Sequence, residues 1–175
     1  VAPAGLTDAQ LLLTEPLAVV VRATARGEAQ PGESAAVLGV GTLGLLALQV
    51  LKARGARLLA VGRTERRLDL ARRLGADAVN ALSSGPGSEA ARRVSGREGV
   101  DLVVETAGTP EAVAEAVELV RPGGRVVLTG LPHAPSQLNF FWVVRRELRI
   151  IGSMIYQAEF PEAMRLLATG AVKVE

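Results

Sequence analysis

The sequence contains no cysteine, which excludes disulfide bonds and any zinc site built on thiolates within this chain. Histidine occurs once, at His133, and aromatic side chains make up only 3% of the 175 residues. No apolar run approaches the roughly 18 residues needed to cross a bilayer. The N-terminus also lacks the basic and then apolar segments of a secretory signal. These absences predict a cytoplasmic protein without a membrane partner.

Charge is nearly balanced, with 20 basic and 18 acidic side chains and a formal net charge of +2. So small an excess gives no reason to expect a nucleic-acid partner. Only Lys52 and Lys173 are lysines, so nearly every cation is an arginine. One cluster, Arg63, Arg66 and Arg67, directly follows a predicted strand and is a candidate phosphate site.

The length and a hydrophobic fraction of 49% fit a single domain over residues 1–175 with one core. Short apolar runs alternate with segments of helical periodicity, which predicts a parallel sheet between two layers of helices. Strands are predicted at residues 35–38, 58–61, 78–79, 100–104, 126–128 and 148–151. Right-handed crossovers then favour a Rossmann-type, doubly wound α/β fold with strand order 3-2-1-4-5-6.

Helix positions follow from the same periodicity. A helix after Thr64 and another from Pro110 to Val120 are predicted, and further helices cover residues 43–51, 89–94 and 160–168. A helical lead-in spans residues 7–29, in which Pro16 is expected in the first turn of a second helix. The stretch 83–87, rich in serine, glycine and proline, predicts a surface loop.

The turn Gly39-Val40-Gly41-Thr42-Leu43-Gly44 joins the first strand to its helix. A GxGxxG pattern alone also fits a tight turn without a ligand, but this one lies inside a βαβ unit of about 30 residues. In that context Gly39 permits the turn, Gly41 admits phosphate oxygens, and Gly44 allows the helix to pack closely. The first helical turn then faces the phosphates, with the Thr42 hydroxyl as a further donor. The sequence therefore predicts a dinucleotide site.

The end of the second strand indicates which dinucleotide. NAD sites usually place a carboxylate there to bind the ribose hydroxyls, but this sequence has Gly62, followed by Arg63 and Thr64. Guanidinium groups bind phosphate through forked hydrogen bonds, so Arg63, Arg66 or Arg67 would suit the 2′-phosphate of NADP. The alternative is that these arginines form the solvated face of a helix. NADP is the favoured cofactor and NAD the alternative.

Segments along the whole chain resemble one family. The chain resembles the coenzyme-binding domain of zinc-dependent medium-chain dehydrogenases/reductases, the alcohol dehydrogenase superfamily, in the polyol and threonine dehydrogenase-like branch. The segments that carry the resemblance are Thr14-Glu15-Pro16-Leu17-Ala18-Val19, Pro31-Gly32-Glu33, Gly55-Ala56, Leu74-Gly75-Ala76-Asp77, Val104-Glu105-Thr106-Ala107-Gly108, Arg121-Pro122-Gly123-Gly124, Glu147-Leu148 and Gly152-Ser153.

The resemblance implies further cofactor contacts. Leu43 would touch the nicotinamide, and Thr106 and Ala107 would line the ribose side after the fourth strand. Backbone groups after the fifth and sixth strands would meet the carboxamide, at Thr129, Gly130, Ile151 and Gly152. All of these lie at carboxyl ends of strands, where doubly wound sheets bind ligands.

The resemblance also implies a zinc contact at Glu15, directly or through water. The alternative is a carboxylate near a helix start, favoured by the helix dipole. Where family members often have histidine, this sequence has Arg22. The isolated His133, in a proline-containing loop, is expected to be solvated. Glu105, at the end of a buried strand, is expected to hydrogen-bond locally or to support the cofactor pocket.

Phe140, Phe141 and Trp142 are three of the five aromatic residues. Three adjacent side chains cannot all face inward on a strand, and exposed aromatic patches usually mark contacts. In the family this region joins subunits, so a homo-oligomer, a dimer or a tetramer, is predicted. Internal packing is the alternative.

The family's enzymes need a second domain, which carries the cysteine and histidine zinc ligands and most of the substrate pocket. We therefore expect this chain, ending at Val172-Lys173-Val174-Glu175, to be a coenzyme domain that is inactive alone. Its parent would transfer hydride between an alcohol or carbonyl substrate and NAD(P). The alternatives are a non-catalytic NAD(P) sensor and the coenzyme domain of a zinc-free quinone or enone reductase.

Overall fold

The computed structural model describes residues 5–82 and 87–174, so most of the loop predicted at 83–87 lies outside the described residues. The helices and strands alternate along the chain, as the sequence predicts. In order they are α1 (Asp8–Arg26), β1 (Ser34–Leu38), α2 (Thr42–Ala53), β2 (Arg57–Gly62), α3 (Glu65–Arg73), β3 (Ala78–Ala81), α4 (Ser88–Ser95), β4 (Val100–Glu105), α5 (Pro110–Leu119), β5 (Val120–Leu128), α6 (Phe140–Arg145), β6 (Arg149–Gly152) and α7 (Phe160–Ala168).

The strands form one parallel sheet in the order β3-β2-β1-β4-β5-β6. This confirms both the predicted strand order and the Rossmann-type, doubly wound fold. The order reverses between β1 and β4, and the loops that follow these two strands border the crevice where such sheets bind ligands. A ligand site is therefore expected at the carboxyl ends of β1, β2 and β4.

The central strands are buried on both faces, which explains their continuous apolar sequences. Along β1, Ala35 and Val37 pack into one hydrophobic cluster, whereas Ala36 and Leu38 pack into the other. This alternation follows from the two-residue period of a strand. The first cluster is covered by α1, α2, α3 and α7, and the second by α4 and α5.

The lead-in is one helix, α1, so the prediction that Pro16 begins a second helix was wrong. Proline removes one backbone hydrogen bond and crowds the preceding turn. Here the next turns bury Leu17, Val20 and Val21 in the first cluster, and this packing keeps the helix continuous. Although α1 has 19 residues, neither it nor another helix in the described ranges is long and apolar enough to cross a membrane.

Strand β5 begins at Val120, six residues earlier than predicted. Val120 was expected to end a helix, but it pairs with Val100 of β4. The register then shifts across the turn at Pro122-Gly123-Gly124 and resumes where Leu102 faces Arg125. The sequence locates the turn correctly, but it does not reveal the bridge that precedes it.

The short helix α6 was not predicted. Asn139 caps it, since its Oδ1 accepts the N–H of Phe141 at 3.1 Å. The side chains of Phe140, Phe141 and Trp142 on this helix are 67%, 59% and 47% exposed. Internal packing of this triplet, the alternative considered from the sequence, therefore does not occur in this chain.

Candidate cofactor site

The glycine turn between β1 and α2 has three glycines in three different environments. Gly39 has a φ of +92°, and a Cβ there would lie 2.9 Å from the backbone nitrogen of Ala107. A Cβ on Gly44 would lie 1.7 Å from the carbonyl oxygen of Gly39, so the helix can approach the turn only with glycine there. Nothing lies within 4 Å of a Cβ on Gly41. Gly39 and Gly44 thus meet internal constraints, whereas Gly41 leaves free space above the helix.

Helix α2 begins at this free space. Gly41 is its N-cap residue, and its carbonyl oxygen accepts the N–H of Leu45 at 2.9 Å. The N–H groups of the first helical turn have no partner within a helix, and with the helix dipole they favour an anion. Thr42 is exposed beside them, and Leu43 is half-buried. The N-terminal end of α2 is therefore suited to bind a phosphate group.

A cleft of about 890 Å³ opens between the loops that follow β1, β2 and β4. An adjoining cleft of about 720 Å³ contains Thr42 and shares the glycine turn. The large cleft brings together eight of the predicted cofactor residues, namely Gly39, Gly41, Gly62, Arg63, Thr64, Arg67, Thr106 and Ala107. Leu43, Gly44, Thr129, Gly130, Ile151 and Gly152 are not in its lining.

The arginine cluster lies on the wall of this cleft. Arg63, Arg66 and Arg67 are exposed, and in residues 5–82 and 87–174 their side chains make no hydrogen bond or ion pair. On α3, the helix that carries Arg66 and Arg67, Arg72 pairs with Glu65 at 2.9 Å and also with Asp69. The contrast leaves three guanidinium groups beside the glycine turn available for a ligand.

Thr106, the first residue after β4, joins that strand to the glycine turn. Its hydroxyl lies 2.8 Å from the carbonyl oxygen of Gly39 and 3.1 Å from that of Leu38. Its N–H also donates to Leu38, at 2.9 Å. The side chain was predicted to line a ribose site; it does line the cleft, but its hydroxyl is engaged with the protein backbone.

Polar side chains lie in a row at the ends of β4, β5 and β6. The N–H of Thr129 donates to the carbonyl oxygen of Glu105, and the N–H of Ser153 donates to that of Leu128, both at 2.9 Å. The hydroxyl oxygens of Thr129 and Ser153 are buried and have no partner among the described residues. Because buried polar groups are normally paired, this row can receive a polar ligand group. Ser153, which immediately follows the predicted Gly152, was not predicted as a site residue.

Glu105 is fully buried at the end of β4. Its Oε1 accepts the N–H groups of Ala107 at 2.6 Å and Gly108 at 2.7 Å, which fixes the loop beside the glycine turn. Burial raises the pKa of this carboxyl group, and the N–H groups of Gly108 and Ala107 act in the opposite direction. The structure supports the prediction that Glu105 hydrogen-bonds locally.

Some predicted backbone contacts are already in use. The carbonyl oxygen of Gly152 accepts the Arg26 Nε–H at 2.8 Å, and Ile151 lies inside β6, opposite Val127. The N–H of Gly130 donates to the carbonyl oxygen of Glu105 at 3.2 Å. A role of these residues at a carboxamide stays a prediction, restricted to their remaining backbone groups.

The predicted zinc contact, Glu15, is exposed on α1, and His133 is exposed in the loop after β5. No group of three or more histidine, cysteine, aspartate or glutamate residues in the described ranges is arranged to hold a metal ion. These residues do not form a zinc site by themselves. The assignment of Glu15 to zinc stays a prediction.

Arg22 occupies the position where histidine is common in the family. Its Nη1 donates to Gln157 Oε1 and Glu159 Oε1, both at 3.1 Å, so it ties α1 to the segment before α7. Arg22 therefore has a structural contact in this chain.

Comparisons with known proteins identify the family and agree with the fold. The sequence profile described as zinc-binding dehydrogenase matches residues 42–169. A sorbitol dehydrogenase of Bacillus subtilis is 34% identical over 172 residues, which are 97% of this chain and 49% of that protein. The chain spans about half the length of the curated relatives it matches.

Two solved structures illustrate the likeness in fold. A zinc-binding dehydrogenase from Sinorhizobium meliloti, bound to NADP, superposes with a TM-score of 0.90 at 32% identity over 99% of this chain and 52% of its own. An alcohol dehydrogenase from Escherichia coli in complex with NADH gives a TM-score of 0.90 at 28% identity, over 98% of this chain and 51% of its own.

Fold and site together define a Rossmann-type domain with an open glycine turn at the start of α2. The profile match covers well over half of the chain, and the chain belongs to the zinc-binding dehydrogenase family. Its fold is that of the coenzyme-binding domain of zinc-dependent alcohol and polyol dehydrogenases.

Proposed function

We propose that this chain binds NADP(H) and orients it for hydride transfer to or from an alcohol or carbonyl substrate, as the coenzyme domain of a dehydrogenase. One observation carries the proposal. A single cleft connects the open glycine turn with arginine side chains that have no partner among the described residues. A structural arginine cluster would be expected to pair with nearby carboxylates, as Arg72 does.

In this proposal each part of the cleft receives one part of the cofactor. The free N–H groups at the start of α2 bind the pyrophosphate, and Gly41 provides the space for it. Arg63 and Arg67 bind the adenosine 2′-phosphate. The hydroxyls of Thr129 and Ser153 meet the polar end of the nicotinamide. The bound cofactor supplies the hydride chemistry, and this chain holds and orients it.

The proposed reaction class comes from the relatives, which include two sorbitol dehydrogenases and a D-xylulose reductase. Substrate and zinc contacts are proposed to lie mainly outside this chain, because its described residues assemble no metal site. Glu15 is the one residue proposed to contact the zinc. A purified preparation of this chain should therefore bind cofactor but not oxidise alcohols.

The aromatic surface of α6, made of Phe140, Phe141 and Trp142, is proposed to join copies of the protein. The support is its exposure, since large aromatic side chains are rarely left in water without a contact. Analytical sedimentation of wild type and F141E tests this proposal. The F141E variant should form a smaller assembly than wild type and should be equally well folded. A monomeric wild type would contradict it.

The cytoplasmic location stays a prediction from the sequence.

Fluorescence titration with NADPH and NADH tests the main proposal. NADPH should bind more tightly, and a double R63A/R67A variant should lose about tenfold or more of that affinity, because charge-assisted hydrogen bonds are lost. NADH affinity should change little. R92A, on α4, is the matched control because Arg92 is exposed and is not in the lining of the cleft. Equal affinities for the two cofactors would contradict the NADP preference, and no binding of either would overturn the proposed function.

A further inference from the structure

Gly62, at the carboxyl end of β2, differs from the glycines of the turn. Gly39 has a positive φ, and at Gly44 the obstacle to a side chain is backbone. Gly62 has no such φ, so its backbone conformation accepts any residue. What excludes a side chain at Gly62 is a neighbouring side chain alone.

That neighbour is Val40, the second residue of the glycine turn. A Cβ on Gly62 would lie 2.4 Å from Cγ2 of Val40, far inside van der Waals contact. The next obstacle, Cδ2 of Leu68, is 3.3 Å away and can yield by a few tenths of an ångström. Val40 is only 4% exposed and packs in the first hydrophobic cluster with Leu68. As a β-branched residue it also has few alternative rotamers, so it does not move aside easily.

Position 62 is where an NAD site places its carboxylate. In this chain, position 62 has no carboxylate, and it also has no room for one. The side chain of Val40 fills the space that a Cβ at position 62 would need. Val40 also lines the cleft next to Gly62 and Arg63. Val40, a residue of the glycine turn, thus determines which residue types position 62 can accept.

We propose that Val40 is a specificity-determining residue: its side chain keeps position 62 without a side chain and so keeps the adenosine pocket open to a 2′-phosphate beside Arg63. The inference rests on the proposed function, because it assigns the specificity of the same cleft. It makes cofactor preference a property of the pair Val40 and Gly62.

Five variants test the pair, namely V40A, G62A, G62D, V40A/G62A and V40A/G62D. G62D alone should weaken binding of both reduced dinucleotides about tenfold or more, because the new side chain displaces Val40. V40A alone should keep the preference for NADPH. V40A/G62D should bind NADH about tenfold or more tightly than G62D does, and should prefer NADH to NADPH, since its carboxylate can bind ribose hydroxyls and repels a 2′-phosphate.

The contact between Val40 and position 62 can also be tested without cofactor, through melting temperatures. G62A should lower the melting temperature in the wild-type background, and should lower it much less when introduced into V40A, because the two positions are in contact. Equal losses in both backgrounds would overturn the inference, as would a G62D variant that prefers NADH while Val40 is present. If wild type binds neither dinucleotide, the proposed function fails and the specificity role fails with it, whereas the melting temperatures still report on the steric contact.

Discussion

The hydroxyl group of Thr106 lies 2.8 Å from the carbonyl oxygen of Gly39, so the end of β4 is linked to the glycine turn after β1. The same carbonyl oxygen faces Gly44, where a Cβ would lie at 1.7 Å. The hydrogen bond holds this peptide group from the side of β4, and the lack of a side chain at Gly44 lets α2 pack against its other side. This explains how a turn of three glycines, flexible as a free peptide, can be held in one conformation.

The first prediction concerns Thr106. T106V keeps the shape of the side chain but removes the donor, which leaves the carbonyl oxygen of Gly39 without this partner. The net contribution of such a hydrogen bond is about 0.5–1.5 kcal/mol. Because it holds the turn in place, we expect NADPH affinity to fall by up to roughly tenfold. Fluorescence titration measures the change. T106S, which keeps the hydroxyl, should bind nearly as wild type; equal losses in both variants would show that the hydroxyl is not the cause.

The second prediction separates the glycines of the turn. G44A should lower the melting temperature by several degrees, because its Cβ collides with backbone at Gly39. G41A should leave the melting temperature nearly unchanged, because nothing lies within 4 Å of its Cβ. It should still weaken NADPH binding, since the methyl group enters the space meant for phosphate. Differential scanning fluorimetry and titration of both variants provide the test, and unchanged cofactor affinity in G41A would contradict a phosphate site there.

The sequence predicts those parts of the molecule that depend on local pattern. The strand order follows from alternating apolar runs, and the separate roles of Gly39 and Gly44 follow from their spacing. Pro16 was misread because a sequence rule for proline does not include the packing that holds α1 together. Contacts between distant positions could not be predicted either, since nothing in the sequence indicates that Val40 fills the space beside Gly62.

The third prediction concerns Glu105, whose pKa is raised by burial from its ordinary value of 4.5. Because the folded state then binds its proton more readily than the unfolded state, this carboxyl group lowers stability as pH rises above 4.5. The free energy of unfolding of E105Q, relative to wild type, should therefore increase between about pH 4.5 and pH 7. Urea denaturation across this range measures it.

E111Q is the control for Glu105, because Glu111 is exposed at the lining of the same cleft. Its stability relative to wild type should not follow the same trend with pH. A parallel trend in both variants would assign the effect to the general charge of the cleft, and would contradict a specific contribution of the buried carboxyl group.

The fourth prediction concerns Asp101, at the opposite end of β4 from the cofactor site. Burial alone would raise its pKa, but hydrogen bonds from the N–H and hydroxyl of Ser34 and from Arg121 and Arg97 outweigh it. They hold the pKa of Asp101 well below its ordinary value of 3.8. The Ser34 N–H donates at 2.9 Å, its hydroxyl at 2.7 Å and the Arg121 Nε–H at 2.8 Å. This carboxylate therefore joins the starts of β1 and β4 in its charged form.

A depressed pKa in the folded state means that the stabilisation is present above pH 3.8 and is lost as pH falls below it. D101N should lower the free energy of unfolding at pH 7 by about 1–3 kcal/mol, because buried donors lose a charged acceptor. The difference from wild type should shrink as the pH falls below about 4. D69N is the matched control, since Asp69 is half exposed in its pair with Arg72, and it should cost no more than about 1 kcal/mol. Urea denaturation at both pH values decides the matter: a loss in D101N that is as small as in D69N, or that persists unchanged in acid, would contradict a stabilising role of the buried carboxylate.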